Sequence, residues 1–200
     1  MQLYPQLERL IHQLETEAAQ LPDERRSILH RLRTYVDAAS PARLNFICTH
    51  NSRRSHLGMI WAAVAAYRNP LIHVQTYSGG TEATALNPRM VAALRRAGFR
   101  VEDPEGDNPR YLVYYADDAP PLVCFSKTFD HPNNPRADFA AVMTCDDADQ
   151  NCPFIPGAAV RIPLTYEDPK VADGTPVEAE RYDERLRQIG RELLYAFRSE

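Results

Sequence analysis

The sequence predicts a three-layer α/β/α domain. Its centre is a mostly parallel sheet of about four strands, with an inserted β-hairpin and a pair of helices ahead of it. Three observations predict this. From residue 44 onward, short apolar runs of strand length alternate with amphipathic stretches of helical period, the pattern of parallel strands covered on both faces by crossover helices. Two further runs, residues 110–116 and 121–126, are separated only by Asp117-Asp118-Ala119-Pro120, which fits a hairpin. The chain has 200 residues, enough for one domain with a buried core and an appendage.

Residues 1–40 read as two helices. Leu3, Leu7, Leu10, Ile11, Leu14 and Leu21 form one apolar stripe, and Ile28, Leu32, Tyr35, Val36 and Ala39 a second. Pro22-Asp23-Glu24 places proline and acid where a helix begins, and Pro41 closes the second helix. The first stripe approximates a heptad, so the pair fits either a hairpin packed on the main domain or a homodimer seam. The boundaries are then 1–41 for the N-terminal helical extension and 42–200 for the main domain, with the hairpin inserted at about 108–127.

Residues 44–47 are the first strand. Residues 56–67, rich in alanine, are helical with Leu57, Ile60, Trp61 and Val64 inward. Residues 71–77 alternate as a second strand, and Ser78-Gly79-Gly80 reads as a turn. Asn87-Pro88 opens a helix with Met90, Val91 and Leu94 inward, and Gly98 ends it. The hairpin leads through Phe125 to His131 into a polar, proline-rich loop. Residues 139–144 form a strand ending at Cys145, and the acidic stretch from Cys145 to Cys152 reads as a loop. Residues 160–164 are the last strand, running into Tyr166-Glu167-Asp168-Pro169. Residues 176–197 close the chain as a helix with Tyr182, Leu186, Ile189, Leu193 and Phe197 on one side.

Composition narrows the function classes. Hydrophobic residues are 44% and charged residues 25%, ordinary for a globular protein. The net charge of −4 argues against a broad surface for nucleic acid or anionic membrane. No apolar run is long enough to span a bilayer, and the N-terminus lacks the basic-then-apolar order of a signal peptide, so a cytoplasmic location is expected. The four cysteines then fit core, catalytic or redox roles rather than a disulfide scaffold. The six histidines show no metal spacing, and no metal or bound cofactor is expected.

One stretch carries chemistry: Cys48-Thr49-His50-Asn51-Ser52-Arg53-Arg54-Ser55, a cysteine followed after five residues by arginine and serine. It sits between a strand and a helix start, where loop N–H groups and the helix dipole make an anion cradle. Arg54 adds a planar fork that grips a tetrahedral oxyanion, with Arg53 and His56 as further basic groups. The same field favours the thiolate of Cys48, and Ser55 can donate a hydrogen bond to it. Thr49, His50, Asn51, Ser52, Arg53, Arg54 and Ser55 are therefore the candidate oxyanion-binding residues. Nucleophilic attack by Cys48 on a phosphate-like anion is the candidate chemistry.

This loop resembles the oxyanion loop of the low-molecular-weight protein tyrosine phosphatases and of the thioredoxin-coupled arsenate reductases, which share that fold. Residues 77–88, leading into the second helix of the main domain, resemble the corresponding family segment. Thr144-Cys145 through Cys152-Pro153, with six residues between the cysteines, resembles the redox segment of the arsenate reductases. Asp168-Pro169 matches the pair that supplies the family's general acid. The resemblance implies arsenate reduction: Cys48 as nucleophile, Arg54 as oxyanion clamp and Asp168 as acid. Disulfides would form first between Cys48 and Cys145 and then between Cys145 and Cys152, with thioredoxin as external reductant. It implies as the alternative a phosphotyrosine phosphatase that works through phospho-Cys48 without needing Cys145 or Cys152, its mouth lined by Tyr166 or Phe129. A third reading is an oxyanion- or redox-sensing module that binds without turnover. Two departures from the family stand in the loop, His50 at a usually small position and Arg53 at a position that is commonly cysteine. Cys124, within an apolar strand, reads as core.

Overall fold

The computed structural model describes residues 2–70, 72–151 and 154–198. In chain order the elements are α1 (Pro5–Glu17), α2 (Asp23–Ala38), β1 (Ala42–Cys48), α3 (Arg54–Arg68), β2 (Val74–Gly80), α4 (Pro88–Ala97), β3 (Arg100–Glu102), β4 (Tyr111–Tyr114), β5 (Leu122–Cys124), β6 (Phe139–Met143), α5 (Asp146–Asn151), β7 (Ala158–Pro163) and α6 (Glu178–Ala196). Four strands form a parallel sheet in the order β2-β1-β6-β7. Helices on its two faces complete the expected three-layer α/β/α architecture.

Side chains alternate across this sheet as the pleat requires. Leu44 and Phe46 of β1, Ala140 and Val142 of β6 and Ile162 of β7 enter a large core shared with α1, α2, α3, α4 and α6. Ile47, Phe139, Ala141 and Met143 enter a smaller cluster on the other face with Cys48, Cys145, Ala148 and Ile155. The main core centres on Trp61, which is fully buried and meets Phe99 edge-on at 5.6 Å between ring centroids. Gly190 of α6 lets that helix close on the indole, because a Cβ there would lie 2.6 Å from the Trp61 ring.

The N-terminal stripe is used within the chain. Leu7, Ile11 and Leu14 of α1 are fully buried in the main core, where α1 packs on α6 and α4. In α2 the buried face is Leu29, Leu32 and Val36, packed on α6, β7 and β1. The apolar surface that suggested a dimer seam is covered intramolecularly. No helix among the described residues is long and apolar enough to cross a membrane.

Four local readings change. The hairpin gains a third strand, β3, and forms a separate antiparallel sheet β3-β4-β5. Ser78-Gly79-Gly80 is not a turn but the end of β2, paired with Phe46, Ile47 and Cys48. Glycine is needed there for close approach: a Cβ on Gly79 would lie 2.4 Å from the Phe129 backbone, and one on Gly80 would lie 2.6 Å from the Thr49 carbonyl. The second strand starts at Val74 rather than residue 71, and Leu71 itself lies outside the described residues. The acidic stretch after Cys145 is the short helix α5, with Asp146, Asp147 and Asp149 in its first turn, where the helix dipole favours acids. The α4 termini follow their sequence signals, with the Asn87 side chain accepting from Arg89 N–H and Gly98 at φ 101°.

Candidate active site

The cradle lies where β1 ends and α3 begins. Cys48 is the last residue of β1 and Arg54 the first of α3, so Thr49 to Arg53 form the whole connection. The loop curls because Asn51 adopts a left-handed conformation at φ 45°, one that asparagine tolerates. Asn51 is fully buried, and its amide is oriented by its partners. Its Oδ1 accepts from the Lys127 backbone N–H at 3.0 Å, and its Nδ2 donates to Ser55 Oγ at 2.8 Å. Ser55 Oγ already accepts that bond, so its own proton is free for Cys48 Sγ, 3.1 Å away. Outer bonds fix the rest of the loop: Ser52 Oγ donates to the Ala85 carbonyl, and Ser126 Oγ donates to the His50 carbonyl.

The donors of the cradle are left open. None of the backbone N–H groups of Thr49 to Arg53 donates to an acceptor among the described residues. Arg54 is buried. Its Nη1 donates to the Tyr166 carbonyl at 2.8 Å and its Nη2 to Asp168 Oδ2 at 2.6 Å, while its buried Nε has no partner among the described residues. Asp168 caps a short 3-10 turn at Pro169–Ala172, accepting from Lys170 N–H at 3.0 Å through its other oxygen. A buried thiol, a hydroxyl beside it, donors with no partner among the described residues and a carboxylate thus lie at one strand end.

A second layer sets this geometry. Tyr166, whose carbonyl holds Arg54, is 4% exposed and donates from its hydroxyl to Glu192 at 2.9 Å. Burial and the Glu192 carboxylate push its phenol well above the usual tyrosine range. Arg25 of α2 forks onto Glu192, donates to the Thr165 carbonyl at 3.2 Å, and lies 5.0 Å over the Tyr166 ring. A residue of the N-terminal pair therefore braces the segment that carries Asp168. Tyr166 is packed inward, so it lines no aromatic mouth.

Cys145 follows β6, the strand beside β1. Its Sγ accepts from Ala148 N–H at 3.4 Å and lies 3.5 Å from Thr49 Oγ1. Thr49 Oγ1 donates to Asp147 Oδ2 at 2.8 Å, which ties α5 to the loop. Cys48 and Cys145 are both buried free thiols of the smaller core cluster. Cys152, expected to complete the pair, lies outside the described residues.

Other basic groups take different places from those expected. Arg53 directs its side chain to the Tyr182 hydroxyl at 2.9 Å and to Asp173 at 3.7 Å, and its Nε also lies 3.9 Å from Asp168 Oδ1. The His50 ring pairs with Glu82 at 2.9 Å on the rim. His56 is fully buried, with Nδ1 3.2 Å from Ser78 Oγ. Burial and then the Lys127 ammonium hold its imidazole well below the usual histidine range, so it is neutral and adds no charge to the cradle. The sequence reading missed Lys127 and the bracing role of Arg25. A lysine in a polar loop and an arginine on an exposed-looking helix turn carry no signal of their own.

No family model matches the chain. The arsenate reductase of Bacillus licheniformis is 30% identical to it over 151 residues, a match covering 74% of this chain and 89% of that protein. That of Shouchella clausii is 31% identical over 147 residues, covering 72% and 87%. This chain belongs to the arsenate reductase family. Its fold also matches the crystal structure of a low-molecular-weight phosphotyrosine phosphatase from Vibrio cholerae, with a TM-score of 0.50, 14% identity and coverage of 78% of this chain and 93% of that one. Within the arsenate reductase family, the bracing of Tyr166 by Arg25 ties an N-terminal helix of this member directly to its acid-bearing segment.

Proposed function

We propose that this chain reduces arsenate to arsenite, with Cys48 as nucleophile and a thiol–disulfide relay through Cys145 and Cys152 that thioredoxin reverses. The observation that carries the reading is the open cradle: Arg54 Nε and the loop N–H groups are donors without acceptors among the described residues, in the loop that joins Cys48 to α3, and Cys48 Sγ already has a hydroxyl partner. Buried donors normally find acceptors, and a tetrahedral oxyanion supplies several at once. The curated relatives, named as arsenate reductases, support arsenate as that oxyanion.

In this mechanism the Cys48 thiolate attacks arsenic(V) and forms a sulfur–arsenic bond. One arsenic-bound oxygen leaves as water, taking its proton from Asp168, while Arg54 and the loop hold the other oxygens. Cys145 as thiolate then attacks Cys48 Sγ. The sulfur–arsenic bond breaks with its electron pair on arsenic, arsenite leaves, and a Cys48–Cys145 disulfide remains. Cys152 attacks Cys145 and releases Cys48 as thiolate. The external dithiol supplies two electrons to the resulting Cys145–Cys152 disulfide. The relay needs α5 to release its hold, and only Ala148 of that helix is buried.

The test is arsenate-dependent NADPH oxidation with thioredoxin and thioredoxin reductase. Wild type is run beside Cys48→Ser, Cys145→Ser and Cys152→Ser, with p-nitrophenyl phosphate hydrolysis on the same samples. Turnover lost in all three variants is expected. Robust ester hydrolysis lost only in Cys48→Ser, with no arsenate turnover in wild type, would replace this reading with the phosphatase.

A further inference from the structure

Arg53 belongs to the cradle loop, but its side chain leaves it for the segment that carries Asp168. The residue directly precedes α3, where its carbonyl accepts from Leu57 N–H at 3.0 Å, and its side chain is only 11% exposed. Nε donates to the Tyr182 hydroxyl of α6 at 2.9 Å and lies 3.9 Å from Asp168 Oδ1. Nη2 lies 3.7 Å from Asp173 Oδ2. Asp168 and Asp173 flank the 3-10 turn Pro169–Ala172 on either side. One guanidinium from the loop thus faces both ends of the turn.

The groups around Arg53 are themselves fixed. The Tyr182 hydroxyl donates to Asp173 Oδ1 at 2.8 Å. Burial pushes that phenol up to about 12, so it stays an uncharged hydroxyl between Arg53 and Asp173. Arg89 of α4 adds a second cation 3.7 Å from Asp173 Oδ1, and its Nε lies 2.7 Å from Glu178. The remaining tie between loop and turn is the bond from Arg54 Nη2 to Asp168 Oδ2. That tie depends on the charge of Asp168. To act as an acid Asp168 must carry a proton, and a neutral carboxyl loses its ionic attraction to Arg54. The contacts of Arg53 with Tyr182 and Asp173 do not depend on that charge.

We propose that Arg53 is the positioning residue of the general acid: a strut from the cradle loop to Tyr182 and Asp173 that keeps the Pro169–Ala172 turn, and Asp168 with it, in place beside the cradle once the acid is protonated and its tie to Arg54 is loosened. The proposal rests on Asp168 giving the proton and not on which oxyanion receives it. Its signature is non-additivity. A residue that acts through Asp168 has little left to do when Asp168 is gone, whereas one that serves the fold alone costs the same in either background.

The experiment is a double-mutant cycle on the reduced full chain: wild type, Arg53→Met, Asp168→Asn and the double variant. The readout is arsenate turnover, or p-nitrophenyl phosphate hydrolysis if that is the reaction wild type performs, with inorganic phosphate affinity measured by calorimetry on each protein. Arg53→Met is expected to lower kcat by about 10- to 100-fold, as misplacement of a catalytic group does, while phosphate affinity stays within about threefold. In the Asp168→Asn background the same substitution should cost less than about threefold. Tyr182→Phe removes one hydroxyl from a ring that stays buried, and should repeat the pattern at smaller size; it decides the question if Arg53→Met does not fold. A loss equally large in both backgrounds overturns the proposal. So does a phosphate affinity that falls as far as turnover, which would make Arg53 an oxyanion ligand. Wild type inert in both assays, or Asp168→Asn as active as wild type, would overturn the site reading and this proposal together, whereas additive losses overturn this proposal alone.

Discussion

Nη2 of Arg54 donates to Oδ2 of Asp168 at 2.6 Å, which joins the proposed oxyanion clamp to the proposed general acid. The two roles separate on mutation. Asp168→Asn should cut turnover about 10²- to 10⁴-fold, the usual worth of a general acid, while phosphate binds at least as tightly because Arg54 loses a competing carboxylate. Steady-state rates and calorimetry on the same protein check both halves.

Ser55 Oγ accepts from Asn51 Nδ2 at 2.8 Å and has its own proton to give to Cys48 Sγ, 3.1 Å away. Ser55→Ala should slow iodoacetamide alkylation of Cys48 at pH 7 and lower turnover, each by about 10- to 100-fold, the equivalent of roughly 1.5–3 kcal/mol for a hydrogen bond to a charged group. Unchanged alkylation would mean the hydroxyl serves packing alone.

Arg25→Met leaves Glu192 as a buried carboxylate without its cation. The expected cost is about 3–5 kcal/mol of stability by chemical denaturation, with a fall in turnover as Tyr166 loses its brace. The double variant Arg25→Met, Glu192→Gln should recover most of the stability. A loss under about 1 kcal/mol in the single variant would rank the pair with surface ion pairs.

The buried polar groups near β2 set a pH signature. His56 is held neutral in the fold, so below about pH 6.5 the unfolded chain takes up a proton that the folded one refuses, and stability falls with pH by up to about 1.4 kcal/mol per unit. His56→Gln should flatten that slope. Lys127, down to about 8 when folded, gives a second window: stability rises as pH climbs from about 8 toward the unfolded lysine value near 10.5, where the burial penalty is relieved. Lys127→Met should therefore be more stable than wild type at pH 7, by up to about 3 kcal/mol. Denaturant titrations from pH 5 to 10 read both windows.

At Gly190 an added methyl would meet the Trp61 ring at 2.6 Å. Gly190→Ala should destabilise by about 1–3 kcal/mol through overpacking, seen as a lower Tm with oxyanion affinity retained.

How much of this was legible in sequence depended on whether a local signal existed. Asn87 and Gly98 mark the ends of α4 because capping uses the residue's own chemistry, and the strand before Cys48 is marked by its apolar run. Gly79 and Gly80 misled because their glycine serves a close approach by residues distant in sequence, Phe129 and Thr49, which no local pattern encodes. The α5 stretch reads as a loop in sequence because five of its six residues are polar and show no apolar period, and it is anchored by a tertiary bond from Thr49 to Asp147. Within the loop, Cys48 Sγ and Ser55 Oγ lie 3.1 Å apart, while the Arg54 fork reaches Tyr166 and Asp168. Arg53 turns to Tyr182, from the last helix, and His56 to Ser78, at the end of the strand that follows its own helix.

The two faces of the sheet differ in what it takes to open them. One is locked by α1, α2, α3, α4 and α6, whereas the other, which holds the buried thiols of Cys48 and Cys145, is capped among the described residues by a single short helix with one buried side chain. The proposed sulfur chemistry would then take place on the face that opens more easily. Lifting α5 exposes a few side chains and leaves the large core shut, so the protein can pass through its most open state on every cycle without nearing global unfolding. Heat would reach the two faces at different points: the relay face would loosen well before the scaffold melts, and turnover would fade in a molecule that is still folded.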